Sequence, residues 1–346
     1  MALSNLALEF TERGIVPDRL VRAGIRRLLQ ARLDEIAAHD PAAAAAQAED
    51  FVAAMRSAPI ALLPEKANEQ HYEVPSEFFG RVLGARRKYS CAFWPDGVRE
   101  LDRAEEAMLD LTCRRAGLQD GMRVLDLGCG WGSLALWIAE RYPRCRVLAV
   151  SNSRPQAEFI RAELARRGHG GVEVATADIN DFDPGARFDR VVSIEMFEHL
   201  RNYQLLLHRL AGWLAPGGRL FAHVFAHRAY CYPYEPAGEA DWMARTFFTG
   251  GLMPSHDLFA HFQEDLLLED QWWLPGRHYQ RTCNAWLRNL DARRDQVRPL
   301  LASTYGADAA HRWLVRWRLF FLACAELFGF RRGREWGVTH VRFAPR

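Results

Sequence analysis

The apolar positions of this chain change their period twice. From the first residues to about position 60 they recur at helical spacing, as in "LVRAGIRRLLQARLDEIA". That pattern predicts helix throughout, interrupted where Asp40 and Pro41 mark a break. "PAAAAAQAEDFVAAM" predicts a second helix with Pro41 near its first turn. Residues 61–100 are aromatic-rich and turn-rich, as "HYEVPSEFFGRVLGARRKYSCAFWPDG" shows. From 122 onward, short apolar runs alternate with amphipathic segments. "RVLDLGC", "RVLAVS", "VEVATAD", "FDRVVSIE" and "RLFAHVF" are the runs. "SLALWIAERY", "PQAEFIRAELARRG" ending at Gly168, and a segment reaching about 214 before "PGG" are the helices between them. Strands alternating with helices of ten or more residues predict an α/β fold on a parallel sheet covered on both faces. After 226 the pattern is mostly helical and rich in Trp and Phe, and the final "EWGVTHVRFA" predicts a strand returning to the sheet. No internal repeat is visible.

A chain of 346 residues can bury a large core. Its formal net charge is +2, with acids and bases interspersed, so it carries no electrostatic footprint for nucleic acid. No N-terminal apolar region of signal-peptide type is present. "WLVRWRLFFLACAELFGF" is the most apolar stretch near the C-terminus, but Arg316, Arg318 and Glu326 lie within it. It predicts a core or groove helix, with no transmembrane segment. The seven cysteines are scattered and contain no C-x-x-C pair. A reduced, cytoplasmic compartment fits them; a structural zinc site does not. The basic segment "LVRAGIRRLLQAR" predicts a solvated face, with weak peripheral contact to an anionic membrane as the sharper alternative.

Chemistry enters at "VLDLGCGWGS". Gly128, Gly130 and Gly132 follow a strand directly, where glycines let the backbone approach a ligand and the next helix offers free N–H groups. The spacing is G-x-G-x-G, without the third packing glycine of dinucleotide folds, since Ser133 and Leu134 stand there. Asp126 precedes the loop, and Asp178 with Ile179 follows the third apolar run. The end of the second run reads Ser151 and Asn152, with Gln156 four residues on, neutral groups able to hydrogen-bond hydroxyls.

This set resembles the class I S-adenosylmethionine-dependent methyltransferases. More narrowly, "HYEVPSEFF", "KYSCAFW", "SNSRPQAEFI" and "MFEH" resemble the branch that joins cyclopropane fatty acid synthases to coclaurine N-methyltransferases. "DWMARTFFTGGLMPS", "GRHYQRTCNAWL" and "WRLFFLACAELFG" resemble the plant benzylisoquinoline N-methyltransferases. The resemblance covers roughly residues 60–346. It implies a mostly parallel seven-stranded sheet with helices on both faces. It further implies a helical extension and cap over 1–118, and a cofactor-binding domain over 119–346 with helical substrate-pocket elements at about 226–335. The cofactor it implies is S-adenosyl-L-methionine, leaving as S-adenosyl-L-homocysteine. Its contacts would be Tyr89, Ser90, Asp126, Gly128, Gly130, Ser151, Asn152, Gln156, Asp178, Ile179 and Ile194.

Two chemistries follow from the resemblance. The N-methyltransferases use two glutamates and a histidine, here Glu195, Glu198 and His199. The alkene-modifying synthases hold a bicarbonate, for which Cys91, Glu198, His223 and Tyr279 are the counterparts. Synthases usually have glycine at the position of Glu195, so the glutamate favours the amine side. The preferred reading is therefore N-methylation of a hydrophobic, arylalkyl-like amine, with methyl or methylene transfer to unsaturated acyl chains as the alternative. A cofactor-binding module without activity is the third reading.

An alkyl amine with a pKa near ~10.4 is mostly protonated at pH 7, and freeing its lone pair costs roughly 4.6 kcal/mol. A carboxylate or imidazole within reach can take that proton. The expectation is that Glu198 and His199 handle it, while Glu195 shares the charge or orients the amine. His223 and Tyr279 complete the candidate catalytic set. Each residue also has a plain structural reading. Glu195 could cap a helix; His199 could lie on a helix surface; His223 could be a core histidine; and Tyr89, Trp272, Trp273 and Tyr279 could be packing. Cys324, in an apolar helix, is expected to be inert packing. The N-terminal helices are candidates for contact in a homodimer.

Overall fold

The computed structural model describes residues 2–36, 40–62, 74–234 and 242–346. His71, Tyr72 and Glu73 of the "HYEVPSEFF" motif and Asp241 of "DWMARTFF" lie outside the described residues. The N-terminal region is three helices: α1 (Ala2–Glu12), α2 (Asp18–Glu35) and α3 (Pro41–Ser57). The Asp40 side chain accepts from the Ala42 and Ala43 amides and so caps α3. Besides that expected break there is another between α1 and α2, at Arg13–Pro17, where Gly14 has φ +74°. The helix α4 (Ser76–Val82) follows, then α5 (Leu101–Ala116).

The sheet begins with β1 (Arg123–Leu127), followed by α6 (Ser133–Arg141), β2 (Arg146–Ser151), α7 (Arg154–Arg167), β3 (Val172–Thr176) and β4 (Phe188–Ile194). A single 3-10 turn over Phe197–His199 precedes α8 (Tyr203–Trp213) and β5 (Leu214–His227). The short β6 (Tyr232–Pro233) pairs with β7 (Leu252–Met253) on either side of α9 (Trp242–Thr246). The chain ends with β8 (Leu266–Pro275), α10 (Arg277–Ala292), α11 (Arg294–Tyr305), α12 (Ala307–Gly329) and β9 (Trp336–Pro345).

The seven-stranded sheet has the order β3-β2-β1-β4-β5-β9-β8. The first five strands are parallel; β9 is antiparallel to both β5 and β8. The returning strand thus occurs where the terminal sequence pattern places it. The edge strand β8 departs from the mostly helical pattern read after 226.

Alternate residues of each central strand enter different cores, as a pleated strand requires. Val124, Val192 and Phe221 pack with α5, α6 and α7 on one face. Leu125, Val191 and Leu220 pack with α8 and with Val52 and Met55 of α3 on the other. A third core gathers α2, α4, α10, α11 and α12 around Trp286, Trp317 and Trp336, beyond the carboxyl ends of the parallel strands. That is where ligands bind in open α/β sheets. Among the described residues no helix is long and apolar enough to cross a membrane.

Candidate active site

The β1–α6 turn needs glycine for a specific reason. Gly128 has φ +79°, and a Cβ there would lie 2.9 Å from the Met196 side chain. The bare backbone opens onto a cavity of about 890 Å³, part of it open to solvent. Gly128 and Gly130 form its floor, and Ser151, Asn152 and Gln156 border it from the end of β2. Asp178 and Ile179, after β3, close another side. The Ser151 hydroxyl donates to Gln156 Oε1 at 2.7 Å and accepts from the Ser153 amide at 3.0 Å. Asp178 Oδ1 accepts from the Asn180 amide at 2.8 Å, which shapes the turn around Ile179.

A smaller adjoining cavity is bordered by Tyr89, Ser90, Asp126 and Ile194 together with the glycine turn. Four buried polar atoms on its border have no hydrogen-bond partner among the described residues: Asp126 Oδ2, Trp131 Nε1, Ser133 Oγ and Gln156 Nε2. Buried polar groups are almost always paired, so this cluster fits a polar, charged ligand such as the amino-acid end of S-adenosylmethionine. Burial pushes the Asp126 carboxyl up to about 7, against the pull of the Ala135 amide. A cationic ammonium beside it would restore its charge. Lys88 also borders this cavity. It is buried, its Nζ meets Ser90 Oγ, and burial lowers its pKa against the charges of Glu195, Cys91 and Glu105. The sequence reading passed over Lys88, although a lysine between Arg87 and the motif residue Tyr89 was visible in "RRKYSC".

A third, apolar cavity of about 760 Å³ is walled by Phe225, Phe248, Trp286, Phe320 and Phe328. Glu195 and His199 border both this cavity and the one over the glycine turn, and form the wall between them. Glu195 sits at the end of β4 with φ +48°, a conformation costly for a residue with a side chain. Its amide donates to the His223 carbonyl at 2.7 Å, which holds the turn.

Three donors from three elements converge on the Glu195 carboxylate. Oε1 receives the Cys91 amide at 2.9 Å and His223 Nε2 at 3.1 Å, and Oε2 receives the Tyr279 hydroxyl at 2.6 Å. Burial raises the Glu195 pKa; Lys88, the Cys91 amide, Tyr279 and His199 pull it back.

Glu198 differs. It is wholly buried and borders none of these three cavities. Oε1 accepts from the Phe225 amide at 2.6 Å, and Oε2 has no partner among the described residues. Burial, then the charge of Glu195, pushes its pKa well above the carboxylate range. Of the two acids, burial thus favours the protonated form more at Glu198, while three donors favour charge on Glu195. The physical cause is the 3-10 turn, which swings Glu198 inward while Glu195 faces the cavities.

Burial lowers the His199 pKa to about 4, with Glu195 acting oppositely, so its ring is neutral at pH 7. It packs against the Phe248 ring at 4.8 Å. Cys91 and His223 are buried behind Glu195 and border none of the cavities. Tyr279 borders the apolar one, as do Cys283 and Cys324. Trp272 and Trp273 lie in β8, away from all three.

The Tyr279 hydroxyl makes one strong bond to a charged group, of the kind that contributes about 1.5–3 kcal/mol. Tyr279→Phe should lower kcat about tenfold to a hundredfold with little change in cofactor affinity, measurable by steady-state kinetics and calorimetry. Unchanged kcat would remove that bond from the chemistry.

Residues 63–335 match the mycolic acid cyclopropane synthetase family. The (S)-coclaurine N-methyltransferase of Thalictrum flavum subsp. glaucum is 38% identical over 340 residues, covering 97% of this chain and 94% of that protein. Pavine N-methyltransferase of the same plant is 32% identical over 345 residues, covering 99% and 97%. A crystal structure of coclaurine N-methyltransferase bound to N-methylheliamine and SAH matches with a TM-score of 0.95 at 38% identity, covering 99% of each chain.

Proposed function

We infer, from the premise that this chain belongs to the mycolic acid cyclopropane synthetase family, that these cavities serve methyl transfer to a hydrophobic amine. It is an S-adenosylmethionine-dependent methyltransferase of the class I fold, and its N-methyltransferase relatives match it over nearly its whole length. The observation that carries the amine reading is the wall shared by the two cavities. Glu195 and His199 stand between the glycine turn and the aromatic chamber, where a methyl acceptor would meet the cofactor.

S-adenosylmethionine supplies the methyl group and the sulfonium leaving group. The protein's residues do the rest. Gly128 and Gly130 form the floor of the cofactor cavity, and Asp126 and Lys88 match the charges of its amino-acid end. Gln156, Asn152 and Asp178 face its nucleoside. The aromatic walls take up the apolar body of the amine. The Glu195 carboxylate draws in the ammonium group, and burial brings its pKa nearer that of the amine, which lowers the cost of taking the proton. His199 offers a neutral acceptor on the same wall. Glu198, buried and turned onto Phe225, supports the wall from behind instead of meeting the amine.

The lipid reading needs a bicarbonate held by groups at Cys91, Glu198, His223 and Tyr279. Here the Cys91 amide, His223 and Tyr279 are all taken by Glu195's own carboxylate, which supports the amine side. Incubation with methyl-labelled cofactor and separate pools of arylalkyl amine and phospholipid tests the reading. Label should enter the amine; label only in the lipid, stimulated by bicarbonate, would overturn it.

The same reading places the enzyme in the cytoplasm, supported by seven unpaired cysteines. It divides the chain into a cap over 1–118 and the catalytic domain over 119–346. It also pairs subunits through the N-terminal helices, supported by exposed Leu6, Phe10, Leu20 and Leu28; sedimentation velocity should show a dimer.

A further inference from the structure

Behind Glu195 a line of hydrogen bonds runs away from the cavities. His223 Nε2 lies 3.1 Å from Glu195 Oε1. His223 Nδ1 lies 2.9 Å from His340 Nε2. His340 Nδ1 lies 2.8 Å from Arg115 Nη1. The two histidines are register partners on the neighbouring strands β5 and β9, and both are fully buried. Arg115 is half-buried near the end of α5, on the sheet face opposite α8, with its guanidinium 4.8 Å from the Trp272 ring.

Hydrogen-bond chemistry fixes the direction of this line. A guanidinium only donates. His340 Nδ1 must then accept, so a neutral His340 carries its hydrogen on Nε2. That N–H donates to His223 Nδ1, which leaves the hydrogen of His223 on Nε2, aimed at Glu195. Both rings are neutral. Burial lowers the pKa of each well below its usual value, and Arg115 and Lys88 add to this in both. Arg115 stays a cation at pH 7, although burial and Arg114 bring it down to about 10.

We propose that Arg115 and His340 are positioning residues that act through His223, locking its tautomer so that an N–H always faces the Glu195 carboxylate. The alternative tautomer would set the Nε2 lone pair against Oε1, and Glu195 could keep that contact only by taking up a proton. The charge of Glu195 is therefore set from two strands and a helix away, by a residue that borders none of the three cavities. The line ends in a cation that gives up no proton at neutral pH, so it orients and does not conduct. The inference rests on the role given above to Glu195.

The test uses the full-length protein labelled with 15N-histidine, without substrate, with signals assigned from His340→Leu. Both His223 and His340 should appear as neutral Nε2–H tautomers, and in Arg115→Met His223 should become a mixture of the two. In methylation assays Arg115→Met and His340→Leu should each lower kcat roughly tenfold, the loss of a bond to a charged group, with KM and SAH affinity nearly unchanged. Arg115→Lys, which keeps a cationic donor, should recover most of that loss. Wild-type rings in the opposite tautomer, full activity in Arg115→Met, or no recovery in Arg115→Lys would each overturn the proposal. Thermal melts and SAH binding separate these outcomes from a folding defect. If the wild type methylates no amine, the functional reading fails on its own, and the tautomer spectrum still decides the inference.

Discussion

Glu195→Gln should lower kcat/KM for the amine by about 10²- to 10⁴-fold, the usual range for removing a general acid–base group. SAH affinity should change by less than about threefold, since the polar contacts proposed for the cofactor are Asp126, Lys88 and Gln156. The size of the effect comes from geometry. Three donors point at the Glu195 carboxylate, from Cys91, His223 and Tyr279. An amide offers one acceptor oxygen and turns its own N–H groups toward at least one of those donors. The variant thus loses the negative charge and also leaves a buried donor unmatched, which costs about 1–3 kcal/mol. A companion variant, Glu195→Gly, leaves the same three donors facing open space, and added formate should restore part of its activity. Single-turnover kinetics would separate the chemical step from binding. Wild-type turnover in Glu195→Gln would sink the assignment.

Gly128→Ala should weaken SAH binding by about tenfold to a hundredfold. The φ of +79° places this residue where a side chain costs of order 1–3 kcal/mol, and each 1.4 kcal/mol is a factor of ten. A new methyl would also press on Met196, which lies between Glu195 and the 3-10 turn that carries His199. The loss of affinity should therefore come with a fall in kcat, because the wall between the cavities shifts with the floor beneath the cofactor. Calorimetry with SAH, alongside circular dichroism to confirm the fold, is the direct check. Wild-type affinity in this variant would show that the turn does not approach the ligand.

The parallel half of the sheet is legible because β1, β2 and β4 are buried on both faces and read as apolar runs, and Gly168 ends α7 in the left-handed conformation. The edge strand β8 is not. "LLLEDQWWLP" is partly exposed along its length, and a register irregularity between Leu268 and Asp270 breaks its alternation. Within the site, "SIEMFEH" announces the acids and the histidine, but spacing alone cannot say which acid faces the ligand. That depends on the 3-10 turn at Phe197–His199, a single turn with no periodic signature. The pairing of His223 with His340 joins positions 117 residues apart, and Arg115 with His340 joins positions 225 apart, so no local pattern links them. His340 reads only as one more residue in an apolar terminal strand.

The three bonds to Glu195 arrive from the segment before α5, from β5 within the sheet, and from α10 after β8. No single region of the polypeptide can supply that environment by itself. Burial disfavours the charge on Glu195, and only when all three have docked does it have the donors that offset this. Turnover in this enzyme thus reports whole-molecule assembly, and a chain nicked or loosened in any of the three regions should lose its chemistry before it loses its shape.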